Sequence, residues 1–440
     1  MGADELDGGA EQSSVNCRKK NRGSTSKSSS VTCSLKVKNC SARRSCKRKQ
    51  LEVNNSKPWQ WRTQAKVTRP SPAALQEVMP PVRVQDIAPT DEYQLIPGLD
   101  DDLALLCLAY LPRSEHGRIK QINRKFCALV TSGRLFKIRR RLGIAEQWIY
   151  ICSAGKQVWQ AYDPMVGKWR SLPALNYDYC FQNSDKESFT VGTQLLVVGC
   201  HADDGLVSWR FDLVSNEWVR GSMMLTPRCL YAWASCGRFA YVAGGVTLKG
   251  EVLQSAEVYD PDTETWKALP PMHECRKLCS GCLLDGRFYV LGGENEVVGA
   301  LTSCEVFDSA SKQWTLLPNM LPWADLRSFP GAPPLSAVVN NKLYVLETES
   351  HQLKLFIKPN FSWRALGEVP VRTDLVSGWG VAFKALGNYL LLIGEGRTPE
   401  YPDGMYICRP EPDGDQLQWI FLARLDRVNK FVLNCAVVSA

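Results

Sequence analysis

Two hydrophobic periodicities divide this chain. Between residues 94 and 143, apolar positions recur at three- and four-residue steps: Leu99, Leu103, Leu106 and Tyr110, then Ile119, Ile122, Phe126, Leu129 and Val130. That spacing predicts helices with one apolar face each. Asp100, Asp101 and Asp102 crowd the start of the first run, where carboxylates suit the positive end of the helix dipole, and Pro112 stands just past its end, where it cannot continue the helix. From Trp148 onward the apolar runs shorten to strand length and turn residues separate them. Residues 237–243 run into Gly244-Gly245, and then come Ala256–Asp260, a turn and Thr265–Leu269. The next stretch repeats the pattern, with residues 286–291, Gly292-Gly293, Cys304–Asp308 and Gln313-Trp314, and in both the second Gly precedes the Trp by 21 residues.

The repeat extends well beyond those two stretches. Trp169, Trp218, Trp266, Trp314 and Trp363 are separated by 49, 48, 48 and 49 residues, and Trp419 follows. Seven residues before each of the first five sits another aromatic: Tyr162, Phe211, Tyr259, Phe307 and Phe356. A period near 50 marks a stacked repeat whose single unit cannot bury its own apolar face.

These units resemble the kelch repeat, in which about 50 residues form one four-stranded blade of a β-propeller. The Gly pairs let strands approach where a side chain would clash, the aromatic and the Trp fill the wedge between blades, and the Asp after the aromatic starts a hairpin turn. Degenerate units keep less: Gly199-Cys200 and Gly394-Glu395 retain one Gly, and Leu346-Glu347 retains none. The last unit stretches its aromatic-to-Trp distance, from Tyr406 to Trp419. Counting Trp residues gives six blades over residues 148–440. The first blade lacks an inner strand ahead of Trp148–Ile151, and residues 430–438 provide a spare strand after the sixth, so the expectation is that the C-terminus enters blade one and closes the ring.

Residues 99–112 resemble the opening helix of an F-box, with Leu99, Asp102, Leu103, Leu108, Leu111 and Pro112 at matching positions. Residues 122–126 resemble that family's later Val-Cys-Lys-x-Trp element, with Phe126 in the Trp place. Asp100 and Cys107 depart from the usual Pro and Ile. About fifty residues is a small unit for burying its own apolar surface, and a surplus points to a partner. An F-box followed by kelch repeats resembles the plant F-box/kelch-repeat family over residues 94–440. The resemblance implies a substrate-recognition subunit of an SCF-type ubiquitin ligase, a non-catalytic receptor. Leu99, Asp102, Leu103, Leu108, Leu111 and Pro112, supported by Ile119, Ile122 and Phe126, would dock a Skp1-like adaptor and through it a cullin, while the propeller binds a target protein. A non-degradative interaction scaffold with a nuclear location is the alternative reading.

Charge changes the picture only at the N-terminus. Residues 1–89 carry a net +10, which leaves the rest of the chain at −2 out of the formal +8. Low-complexity Ser and scattered Pro make this stretch read as a disordered basic tail. Its clusters, Arg18 to Arg22 and Arg43 to Lys49, are candidate nuclear-import elements, giving a nuclear or cytoplasmic expectation or both. A near-neutral folded part argues against nucleic acid as a partner. No apolar run approaches a membrane span.

Reactive chemistry is sparse. The four His residues show no helical zinc spacing, and no nucleophile elbow or phosphate loop is present. His273, Cys275, Cys279 and Cys282 form the best metal candidate, but the repeat register places Cys279 and Cys282 in an innermost strand, where Cys acts as a small hydrophobe. No metal, cofactor or catalytic residue is therefore expected. Arg228 and Arg276 occupy equivalent places just before successive inner strands. They are candidates for substrate contact at the channel rim, or else stabilise a turn. Loops 321–334 and 395–403 are candidates by exposure.

Overall fold

The computed structural model describes residues 94–439 apart from 154–158, 175–187, 202–204, 324–330, 375–376, 412–416 and 426–430. The basic tail and its two clusters lie outside the described residues, as does part of loop 321–334.

Four short helices come first: α1 (Asp101–Ala109), α2 (Arg113–Ile119), α3 (Arg124–Thr131) and α4 (Arg134–Arg141). The Asp100 carboxylate caps α1 by accepting from the Asp102 N–H, and Asn123 caps α3 by accepting from the Phe126 N–H at 2.8 Å. Gly133, at φ 69°, turns the chain between α3 and α4. Leu105, Leu108, Ile119, Phe126, Leu129, Val130 and Leu135 form the core of this unit. α1 turns Ala104, Leu105, Leu108 and Ala109 inward, while Leu103 and Tyr110 of the Leu99–Leu103–Leu106–Tyr110 row face solvent. The helix is apolar nearly all round, so its periodicity alone does not choose a face.

The strands form six four-stranded antiparallel sheets, a six-bladed β-propeller. Blade one pairs Val432–Ser439 with Gln147–Ser153, from Gln147 opposite Ser439 to Ser153 opposite Val432, and Gln160–Asp163 and Lys168–Ser171 complete it. The innermost strands of successive blades contact one another all the way round, with Val432–Ser439 standing between Ala382–Leu386 of blade six and Ser188–Val191 of blade two.

The recurring residues do recurring work. Tyr162 lies opposite Trp169 on adjacent strands, and the same pairing joins Phe211 to Trp218, Tyr259 to Trp266, Phe307 to Trp314 and Phe356 to Trp363, with ring centroids about 5 Å apart. The indoles also reach back to the preceding blade: Trp218, Trp266, Trp314 and Trp363 donate to the carbonyls of Pro173, Ser222, Pro270 and Met320 at 3.0, 3.2, 2.8 and 2.7 Å. A residue that fills a wedge and also tethers two blades must return once per blade, which explains the period. Blade six corrects the reading of Trp419. Trp419 pairs with Cys408, and Phe421 takes the place opposite Tyr406, at 5.4 Å between rings.

Close backbone approach explains the Gly pairs at their second members. Gly245 and Gly293 have φ of 95° and 96°, and a Cβ there would lie 2.6 and 2.5 Å from the carbonyl oxygens of Cys229 and Lys277. Gly244 is equally constrained, since its Cβ would meet the Arg276 carbonyl at 2.4 Å; Gly292 is held less tightly.

The helices are bolted to blade one. Phe136 joins Trp148, Tyr150 and Phe211 in one cluster. Arg139, buried, donates to the carbonyls of Ala109 and Leu111 that end α1 and to Glu146, whose other oxygen accepts from the Trp148 indole. The Arg113 guanidinium donates to the Tyr150 hydroxyl at 2.7 Å and stacks 4.5 Å from the Trp148 ring centroid.

Candidate functional site

The helical unit leaves a hydrophobic face open. Leu103 is 53% exposed, Tyr110 66%, Leu111 37% and Ile122 65%. Leu103 and Tyr110 are seven residues apart on α1 and so share a face, with half-buried Leu99 and Leu106 along the same row. Asp102 stands exposed at one end and Pro112 at the other. Three of the expected contact residues are elsewhere: Leu108, Ile119 and Phe126 are each less than 9% exposed and form the unit's own core. They support the exposed face from beneath. Tyr110, which sequence reasoning set on the helix but did not count as a contact, is the most exposed member, and its seven-residue step from Leu103 was the available signal.

Beneath this face sits His116, buried and edge-on to Phe136 at 5.5 Å between rings. Burial, then the Arg139 and Arg113 charges, bring its imidazole down to about 4, so it is neutral at pH 7.

The two arginines offered as substrate contacts are also corrected. Arg228 and Arg276 are fully buried. Arg228 pairs with Glu257 and donates to the carbonyls of Gly244 and Ser255. Arg276 pairs with Glu305 at 3.0 Å and donates to the carbonyls of Gly292 and Ser303. Each glutamate accepts two backbone N–H groups as well, from Leu225 and Thr226 in one blade and from His273 and Glu274 in the next. The pair staples the loop entering a blade to the third strand of that blade. Burial lowers the Arg228 pKa from its usual value while Glu257 opposes the shift. Sequence reasoning missed Glu257 and Glu305, although each is a carboxylate inside an apolar strand, two residues before the aromatic, in successive repeats.

Exposed apolar residues also lie on propeller loops: Leu225, Leu248, Val297 and Val298. Leu248 sits against Gly205 of the neighbouring blade. In loop 395–403 the Asp403 carboxylate accepts from the Gly396 N–H at 3.0 Å. The Cys-x-x-Cys thiols face different interblade clusters, and burial pushes Cys279 up to about 11 and Cys282 up to about 12. Thiols held protonated in apolar surroundings are poor metal ligands. No His, Cys, Asp or Glu grouping suited to a metal occurs among the described residues, and no described helix is long and apolar enough to cross a membrane.

Comparison with known proteins accords with both halves. The Kelch motif matches residues 227–273 and 275–321, the two blades that carry the buried Arg–Glu staple. The F-box/kelch-repeat protein At3g27150 of Arabidopsis thaliana is 42% identical over 78% of this chain and 83% of its own length. This chain belongs to the F-box/kelch-repeat family. F-box/kelch-repeat protein SKIP11 of the same plant is 41% identical over 80% of this chain and 76% of its own length. SKIP30, another F-box/kelch-repeat protein of that plant, is 25% identical over 78% and 97% respectively. The four helices therefore stand where this family carries its F-box.

Proposed function

We propose that this F-box/kelch-repeat protein is the substrate receptor of an SCF-type ubiquitin ligase. The exposed face of Leu103, Tyr110 and Leu111, with Ile122 beside the start of α3, docks a Skp1-like adaptor and through it a cullin. The propeller loops hold a target protein. The carrying observation is that the helical unit turns large apolar side chains to water although it has a complete core beneath them. The chain contributes position: it raises the effective concentration of target lysines near a separately bound ubiquitin-charged enzyme, and supplies no reacting side chain. Its bolting to blade one by Arg139 and Arg113 supports the reading, since a receptor of this kind transmits orientation from adaptor to target.

Co-purification with a Skp1-like adaptor tests this. Leu103→Asp with Ile122→Asp removes capture and leaves the melting temperature unchanged. Undiminished capture by a folded double variant would leave the non-degradative scaffold as the reading. The nuclear component of the location rests on the two basic clusters. A fluorescent fusion with Arg43, Arg44, Lys47, Arg48 and Lys49 changed to Ala loses nuclear signal if they direct import, and keeps it if they do not.

A further inference from the structure

The central channel holds a lone cation. A cavity of about 400 Å³ opens among the innermost strands, and of the described residues lining it only Lys384 carries a formal charge. Lys384 lies on the inner strand of blade six, and its ammonium stands 5.4 Å from the ring centroid of Trp233, on the inner strand of blade three. Among the described residues no carboxylate lines the cavity, and the half-buried Lys384 ammonium has no hydrogen bond or ion pair, the Cys435 thiol of the same wall being its electrostatic neighbour. Elsewhere the buried cations are matched: Arg139 with Glu146, Arg228 with Glu257 and Arg276 with Glu305. Burial without a counter-ion lowers the Lys384 pKa from the usual lysine range.

A second unsatisfied donor lines the same cavity. Asn434, 2% exposed on the closing strand beside blade six, accepts from the Ser188 hydroxyl, but its amide nitrogen has no hydrogen-bond partner among the described residues. Buried polar groups left unpaired are rare and costly. Of the other polar side chains in the wall, the Ser280 hydroxyl donates to the Pro334 carbonyl at 2.5 Å and the Ser235 hydroxyl to that of Thr190, and Tyr231 and Ser336 also line it. A cation facing an indole across an otherwise uncharged cavity, with the sealed Asn434 amide behind the wall, makes a pocket for a carboxylate attached to a flat apolar body.

We propose that the propeller channel is a binding site for an organic carboxylate, whose oxygens accept from the Lys384 ammonium while its apolar body lies against Trp233. A free small acid and a carboxylate-bearing end of a target polypeptide share that chemistry. The site is independent of the docking face on the helices, so its failure leaves the adaptor reading intact.

Ligand-observed NMR on the full chain tests the proposal with two sets of probes. One is acetate, phenylacetate and phenylpropionate with their amides; the other is a tetrapeptide ending in Phe, with a free carboxylate or an amide terminus. Carboxylates bind the unmodified protein and amides do not, and both Lys384→Met and Lys384→Gln weaken binding by about tenfold or more, the effect of losing a hydrogen bond to a charged group. Binding confined to the free acids identifies a small-molecule site, and binding of the peptide identifies a target terminus. Thermal melting checks that the variants fold, and Gln keeps the polarity if Met perturbs the channel. Absence of binding in both sets, equal binding of amides, or binding unchanged in a folded Lys384 variant would overturn the proposal.

Discussion

The helices and the propeller both build from units too small to bury their own apolar surface, and they resolve this differently. Each propeller blade is finished by its neighbour. The Trp218, Trp266, Trp314 and Trp363 indoles donate to the blade before, and the chain's last strand lies beside the first strand of blade one. The ring consumes its aromatics and leaves mostly loops for recognition. The helical unit closes a small core and keeps Leu103, Tyr110 and Ile122 in water. Apolar surface that a repeat would cover with its next copy is here held open on a rigid base. The contrast separates residues that hold the protein together from residues that wait for another one.

Deleting residues 432–439 should have the largest effect. It removes the strand that pairs with Gln147–Ser153 and bares buried Ile149 and Ile151. The loss should exceed about 5 kcal/mol, comparable to the whole stability of many domains, and abolish the cooperative transition in calorimetry. A retained transition would mean that ring closure contributes little. Next comes Glu305→Ala, which leaves Arg276 buried without its main counter-ion and two backbone N–H groups unmet. It should lower urea stability by about 3–5 kcal/mol, and pairing it with Arg276→Met should recover much of that.

Smaller effects sharpen the contrast on α1 itself. Leu105→Ala, in the core, should cost about 2–4 kcal/mol, whereas Leu103→Ala, two residues away and exposed, should stay within about 0.5 kcal/mol. Equal costs by urea titration would mean that the exposed face is not free. A further effect is electrostatic. His116 titrates near 6.5 in the unfolded chain and about 4 in the fold, so between those values the unfolded state binds more protons. Stability therefore falls as pH drops from about 6.5 toward about 4, by about 2–3 kcal/mol, and His116→Gln should flatten that part of the profile.

Much of the propeller was legible because its signals repeat. One Trp means little, but five in register with five preceding aromatics reveal the repeat, and Trp419 brings the blade count to six. Blade six misleads for the same reason: an indole sits near the expected place, while Phe421 occupies the structural position. The docking face was legible as a segment and only partly as residues. α1 is apolar on nearly every side, so which Leu faces outward depends on α3 and α4 packing against Leu105 and Leu108, contacts distant in sequence. The Arg–Glu staple escaped because it joins residues 29 apart, and reading Arg228 without Glu257 makes a structural cation look like a ligand contact. Lys384 gave no sequence signal at all; its isolation comes from what the other five inner strands fail to supply.

Hydrogen exchange of the full chain with and without a purified Skp1-like adaptor tests the division between open face and closed ring most directly. The account predicts protection over residues 99–112 and around Ile122, with propeller amides unchanged. Protection centred on the propeller, or none in the helices despite complex formation, would contradict it.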